Sequence, residues 1–282
     1  MRKLVERLLL FFVGLPLIIA SVFFLPQYNY LVLHIEIFAV SVLAILEIRT
    51  IVSKKLAVHS IPISITIGLL VPAAAFLYAV FGVRYRIITY AIAISCVAIL
   101  FVEFIFSFYG KFEKSLERIA SSFLIVIYPG YFVMYLMIMT VWHDAGAVLS
   151  LFFLMVFGCD SLAWFFGMLF GKNNRGCIPA SPNKSVAGFV GGYLGSIGAG
   201  IGAHFLFPNA FSGSIWKLVV LGFLTATAAI VGDIIESVFK RSAGLKDSGN
   251  IIPGRGGVLD SIDSILLAAP VYYILCDFLF HF

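Results

Sequence analysis

Ile87-Ile-Thr-Tyr-Ala-Ile-Ala-Ile-Ser-Cys-Val-Ala-Ile-Leu-Phe-Val-Glu103-Phe-Ile-Phe-Ser-Phe108 holds one charged side chain in 22 residues. About 20 apolar residues suffice for a helix to cross the hydrocarbon of a bilayer. The run is continuously apolar and does not alternate, so it reads as a membrane helix and not as a strand of an outer-membrane barrel. Eight similar runs surround it. The nine segments fall at about 7–26, 29–48, 60–81, 87–108, 119–142, 146–170, 186–207, 216–239 and 258–280. The whole chain of 282 residues is 62% apolar and 12% charged, where a soluble domain carries roughly 25% charged residues. The expected fold is therefore an all-α polytopic membrane protein with about nine transmembrane helices and no soluble domain.

The first segment follows Met1, Arg2 and Lys3 and resembles a secretory leader, but it is long for one and lacks a small-residue cleavage pattern. It reads as a retained span. Cys96, Cys159, Cys177 and Cys276 are scattered, with no C-x-x-C pair, so they suggest neither a zinc site nor a disulfide framework.

Basic residues orient the spans. With the N-terminus inside, the inner connections carry Arg2, Lys3, Arg7, Arg49, Lys54, Lys55, Lys111, Lys114, Arg118, Lys172, Arg175, Lys184, Lys240, Arg241, Lys246 and Arg255. The outer connections carry Arg84, Arg86 and Lys217. Sixteen against three predicts nine spans with a cytoplasmic N-terminus. The net charge of +5 then reflects topology and contact with anionic lipid, and gives no reason to invoke nucleic acid.

Acids inside spans are costly and mark sites. Glu47 and Asp277 lie near span ends and are expected to reach water. Glu36 and Glu103 have no local partner in sequence, and helix packing or a lipid headgroup is the expected role. Asp160, Asp233, Glu236, Asp260 and Asp263 differ from these, because all five fall at the inner depth of three spans. Asp233/Glu236 and Asp260/Asp263 are spaced i, i+3 and share a helix face. Such a group repels itself unless cations neutralise it. A hard divalent cation with oxygen ligands is one solution; structural ion pairs with Lys240, Arg241, Lys246 and Arg255 are the other.

Between these acids runs Ser237-Val-Phe-Lys240-Arg241-Ser-Ala-Gly-Leu-Lys246-Asp247-Ser-Gly-Asn-Ile-Ile-Pro253-Gly254-Arg255-Gly256-Gly257-Val-Leu-Asp260-Ser-Ile-Asp263. Its glycines permit backbone amides to approach phosphate oxygens, and its basic residues suit phosphate contact. The order and spacing resemble the signature of the phosphatidate cytidylyltransferase family: Ser, Lys-Arg, Lys-Asp, a Pro-x-His-Gly-Gly loop, then Asp-Arg-x-Asp. Asp160-Ser-Leu-Ala-Trp-Phe-Phe-Gly167-Met-Leu-Phe-Gly171-Lys172 and Ser181-Pro182-Asn-Lys184-Ser185-x-x-Gly188 are similar to two further family stretches. The chain departs from the pattern at Arg255 for histidine, Ser261 for arginine and Ala187 for glutamate. Arginine can contact phosphate but cannot accept a proton.

The resemblance implies transfer of the cytidylyl group of CTP to phosphatidate, giving CDP-diacylglycerol and pyrophosphate at the cytoplasmic face of the inner membrane. It implies Mg²⁺, or another divalent cation, on Asp233, Asp260 and Asp263. Lys246 and Asp247 join these acids as catalytic candidates. Asp160, Ser181, Lys184, Lys240, Arg241, Arg255, Gly256 and Gly257 are candidates for substrate binding. Residues 1–145 are expected to be scaffold helices that contact lipid or a second copy of the chain, and residues 146–282 the catalytic region. Two rival readings are a CTP-dependent transferase for a polyprenol or ether lipid, and a secondary transporter, which the missing internal repeat disfavours. A family member that has lost catalysis is a third. Gly191, Gly192, Gly195, Gly198, Gly200 and Gly202 are read as helix-packing positions.

Overall fold

The computed structural model describes residues 15–252 and 256–282, with side chains from residue 20. Long apolar segments become helices because a bilayer offers no other partner for the backbone. The helices are α1 (Leu15–Phe24), α2 (Gln27–Val52), α3 (Ile61–Phe81), α4 (Arg86–Phe108), α5 (Ser115–Ile125), α6 (Phe132–Ile138), α7 (Ala145–Phe170), α8 (Val186–Leu206), α9 (Ile215–Ser242) and α10 (Leu259–Phe280). Among the described residues the only β pairing is two isolated bridges, Arg175–Ser185 and Ile252–Gly256. Among the described residues, eight helical segments are long and apolar enough to cross a membrane, counting Ser115–Val141 as one. Each corresponds to an expected span, with ends displaced by a few residues. The expected span at 7–26 lies partly outside the described residues; the part that is described, Leu15–Phe24, is helical.

α4 shows why these are lipid-facing helices. Tyr90, Ile94, Val97, Phe101, Phe104 and Phe108 recur at helical spacing and are each more than half exposed. Water would not tolerate such a stripe, whereas acyl chains solvate it. The opposite stripe, Ile88, Ala91, Ser95, Ile99 and Glu103, is buried.

The chain divides into two compact units. The first comprises the described residues up to Val141 together with Ser242–Ser261; the second comprises Trp142–Arg241 and Ile262–Phe282. In the first, Ile67, Ile99 and Val126 form a buried cluster with Ile63, Ala98, Val102, Ile119 and Phe123 packed on it. α5 and α6 are joined by a wide π-helical turn, Val126–Tyr131, that contains Pro129. Proline has no N–H to continue the ladder, and the extra residue absorbs the break. Gly130 follows, and a Cβ there would lie 2.6 Å from the Gly68 carbonyl oxygen of α3, so the kinked helix and α3 touch backbone to backbone.

In the second unit α7 and α8 pack through glycine. A Cβ on Gly191 would lie 2.5 Å from the Leu162 carbonyl oxygen, and one on Gly192 2.9 Å from Cys159 Sγ. Gly195 faces the backbone of Gly158, and Gly200 faces Leu218. Gly198 and Gly202 have open space instead, so the packing role belongs to four of the six glycines. The Tyr272 hydroxyl, fully buried, donates to the Val148 carbonyl at 2.8 Å and ties α10 to α7.

Candidate functional site

In the second unit α8 starts at Ser185, whose Oγ accepts from the Gly188 amide at 3.0 Å. This N-cap ends the Ser181–Lys184 loop. The loop is itself a tight turn: the Lys184 amide donates to the Ser181 carbonyl at 3.1 Å. The Lys184 ammonium reaches the α9 carboxylate of Asp233, with Nζ 2.5 Å from Oδ2. One turn further along α9, Glu236 is wholly buried and forms an i,i+4 ion pair with Lys240. Arg241, exposed at the end of α9, donates through Nε to the Ala180 carbonyl at 3.3 Å, just before Ser181. Two bonds from α9 therefore hold the same loop.

Asp263, on α10, is 6% exposed. Its Oδ1 accepts from the Ser264 amide at 2.6 Å. The Ser264 hydroxyl lies 3.3 Å from Asp263 Oδ1 and 3.4 Å from Asp160 Oδ1 of α7. Asp233, Glu236 and Asp160 all act on Asp263 with like charge. Four carboxylates, Asp160, Asp233, Glu236 and Asp263, thus share a region with two ammonium groups, Lys184 and Lys240. Carboxylates outnumber ammonium groups in this cluster. The donors are hard oxygens, as Mg²⁺ requires. As arranged, no three acidic, histidine or cysteine side chains among the described residues form a ready coordination cluster. The fit is one of charge and donor chemistry.

In the first unit the signature loop meets a residue that its sequence does not announce. Glu47, five residues before the end of α2, is 6% exposed. Its Oε1 accepts from the Val258 amide at 2.9 Å, and its Oε2 from the Leu259 amide at 2.7 Å and the Ser248 hydroxyl at 2.8 Å. The expectation that Glu47 reaches water is therefore wrong. It caps the first turn of α10, satisfying amides that have no partner within the helix. Asp260 completes the clamp: its Oδ2 accepts from the Ser248 amide at 2.9 Å, the Ser248 hydroxyl at 3.0 Å and the Gly257 amide at 2.7 Å.

The glycines follow from this arrangement. Gly256 has φ of +116°, and a Cβ there would strike Asp260 Oδ2. A Cβ on Gly257 would strike Ser248 Oγ and Glu47 Oε2, and one on Gly249 would lie 2.5 Å from Glu47 Oε1. The amides of Gly256 and Gly257 are engaged by the Ile252 carbonyl and by Asp260, so in this structure the glycines admit carboxylates. Gly257→Ala is expected to destabilise the chain by about 1–3 kcal/mol through overpacking, read as a lower unfolding temperature.

Lys246 and Asp247 are exposed on the connection that leads into the clamp. Arg255 and Gly254 lie outside the described residues. Two other acids make contacts between helices, the packing role expected of them. Glu103 has a close partner, Arg118, through two hydrogen bonds of 2.6 and 2.7 Å. Glu36 accepts from the Ser21 hydroxyl at 3.2 Å. Asp277 is exposed, as its position near the span end suggests.

Helices built for lipid, with carboxylates and lysines gathered in their polar interior, define an integral membrane protein. The chain belongs to the cytidylyltransferase family, whose profile matches residues 5–279. It is similar to the phosphatidate cytidylyltransferase of Staphylococcus saprophyticus, with 35% identity over 182 residues, 64% of this chain and 68% of that protein. The same-named protein of Staphylococcus haemolyticus is 41% identical over 123 residues, 44% of this chain and 46% of the relative. That of Haemophilus influenzae is 42% identical over 137 residues, 46% of each. The matched stretch spans about half to two thirds of these relatives.

Proposed function

We propose that this protein transfers the cytidylyl group of CTP to phosphatidate. A phosphate oxygen of the lipid attacks the α-phosphorus of CTP; the bond from that phosphorus to the bridging oxygen breaks, and pyrophosphate leaves with the electron pair. The attacking oxygen is already anionic at neutral pH, so no strong base is needed. The demands are alignment and charge neutralisation.

The observation that carries this reading is the Lys184–Asp233 pair within the group of four carboxylates and two lysines. It joins the Ser-Pro-x-Lys loop, whose Ser181 and Lys184 the resemblance gives as substrate-binding candidates, to α9, whose Asp233 it gives as a metal candidate. Asp233, Asp263 and Asp160 would hold a divalent cation, which when bound supplies positive charge to the nucleotide phosphates. Lys184 holds its loop against Asp233 and is free to turn to a phosphate when that carboxylate takes a metal. Ser181 and Arg241 shape the loop. Lys240 neutralises Glu236. Glu47 and Asp260 fix the start of α10 and Ser248, and Lys246, Asp247 and Arg255 serve the lipid phosphate. The distribution of basic residues supports a cytoplasmic N-terminus and a site open to cytosolic CTP in the inner membrane.

Removal of divalent cations by a chelator is expected to abolish formation of the CDP-lipid, and added Mg²⁺ to restore it. Full turnover in chelator would contradict the role given to the acids.

A further inference from the structure

The first unit holds a polar constellation that the proposed reaction does not use. The chain between α2 and α3 meets the start of α5. The Ala57 amide donates to Glu117 Oε2 at 2.6 Å, and the Ser121 hydroxyl donates to the Ala57 carbonyl at 2.9 Å. Beside them a cavity of about 200 Å³ is lined by Val58, His59, Ser60, Phe106, Lys111 and Arg118.

Arg118 is fixed before any ligand arrives. Besides its two bonds to Glu103, its Nη2 donates to the Lys111 carbonyl at 2.5 Å, and the guanidinium lies 5.2 Å from the centre of the Phe106 ring. Little conformational entropy is left for it to lose on binding. Its Nη1 makes no hydrogen bond among the described residues.

His59 is 2% exposed and stacks on Phe106 with ring centres 5.4 Å apart. Its Nε2 lies 3.1 Å from Glu103 Oε1, yet neither ring nitrogen forms a hydrogen bond. Burial holds its pKa below the ordinary histidine value, against the pull of Glu103. At neutral pH it offers one N–H and one lone pair. His59 closes one wall of the cavity.

Charge and surroundings select that ligand. Glu103 offsets Arg118; Glu117, in the first turn of α5, is held by the Ala57 amide and the positive end of the helix, and Lys111 at the rim adds a positive charge. A phosphodiester carries one negative charge and several acceptor oxygens. Phe108, Tyr109, Phe112 and Leu116, on either side of Lys111, are 74%, 72%, 63% and 83% exposed. Large exposed aromatics beside a lysine are the signature of the membrane interface.

We propose that this cavity binds the phosphodiester headgroup of an anionic phospholipid. Lys111, Arg118 Nη1 and the Ser60 hydroxyl donate to its non-bridging oxygens. The cavity follows the same end of α2 that carries Glu47, so the lipid belongs to the leaflet on which the signature loop lies.

The test is lipid binding by the purified, delipidated full chain, measured by native mass spectrometry with phosphatidylglycerol and with phosphatidylcholine. A parallel calorimetric arm uses inorganic phosphate. One phosphatidylglycerol is expected to bind about fivefold more tightly to the unmodified chain than to Lys111→Gln, the contribution of one interfacial lysine. Ser60→Ala is expected to weaken binding too. Lys114→Gln, at an exposed lysine of the same turn outside the cavity, is expected to leave binding unchanged. Equal affinity in the unmodified chain and Lys111→Gln overturns the proposal. So does an equal loss in Lys114→Gln, which would mean surface charge alone. Inorganic phosphate binding as tightly as the lipid would also overturn it, by making this a free-anion site.

Discussion

Asp233→Asn is expected to lower turnover by about two to three orders of magnitude while leaving the chain folded. The substitution keeps the size of the side chain and removes one of four clustered charges. Loss of a carboxylate lowers the repulsion within the cluster, so stability should hold or rise slightly. Loss of a preorganised charge at a phosphoryl-transfer site costs about that much in rate. Lys184, left without its partner 2.5 Å away, should drift from the loop geometry seen here. The check is turnover with excess Mg²⁺ beside the unfolding temperature. A variant that works nearly as well as the unmodified chain would remove Asp233 from the site.

Glu47→Ala is expected to damage both stability and activity, although residue 47 lies more than 200 positions before the loop it serves. Three donors, two amides and a hydroxyl, lose a charged acceptor in a buried place. Hydrogen bonds to charged groups contribute about 1.5–3 kcal/mol each, and water entering the vacated volume offsets part of the loss. A net destabilisation of roughly 3–5 kcal/mol follows. Glu47→Gln keeps the shape but presents an NH₂ group to a donor, so it should fall between the two. If the signature loop is what Glu47 holds, turnover in Glu47→Gln drops even below its unfolding temperature. Unchanged turnover and unchanged unfolding in Glu47→Gln would contradict the clamp.

These two residues show what sequence can reveal in such a chain. The spans are legible because hydrocarbon thickness imposes their length and backbone chemistry imposes helix, leaving little for tertiary structure to decide. Asp233 is legible because an acid in mid-span has few explanations. Glu47 looks like any acid near a helix end. Its role depends on a chain segment that returns to it 201 residues later, at Ser248, and no local pattern encodes that meeting. The glycines of the signature suggested phosphate, since small residues before a helix commonly cradle anions. In the structure the anions they admit are the chain's own carboxylates, those of Glu47 and Asp260. Glu103 was similarly opaque, because its partner Arg118 sits across a turn on the next helix.

The reaction itself can be measured directly. The purified chain is supplied with cytidine-labelled CTP and Mg²⁺, with and without phosphatidate, and the lipid phase is analysed for label. Labelled CDP-diacylglycerol and an equal amount of pyrophosphate are expected, formed only when phosphatidate is present. No labelled lipid from a chain shown to be folded would contradict the proposed reaction.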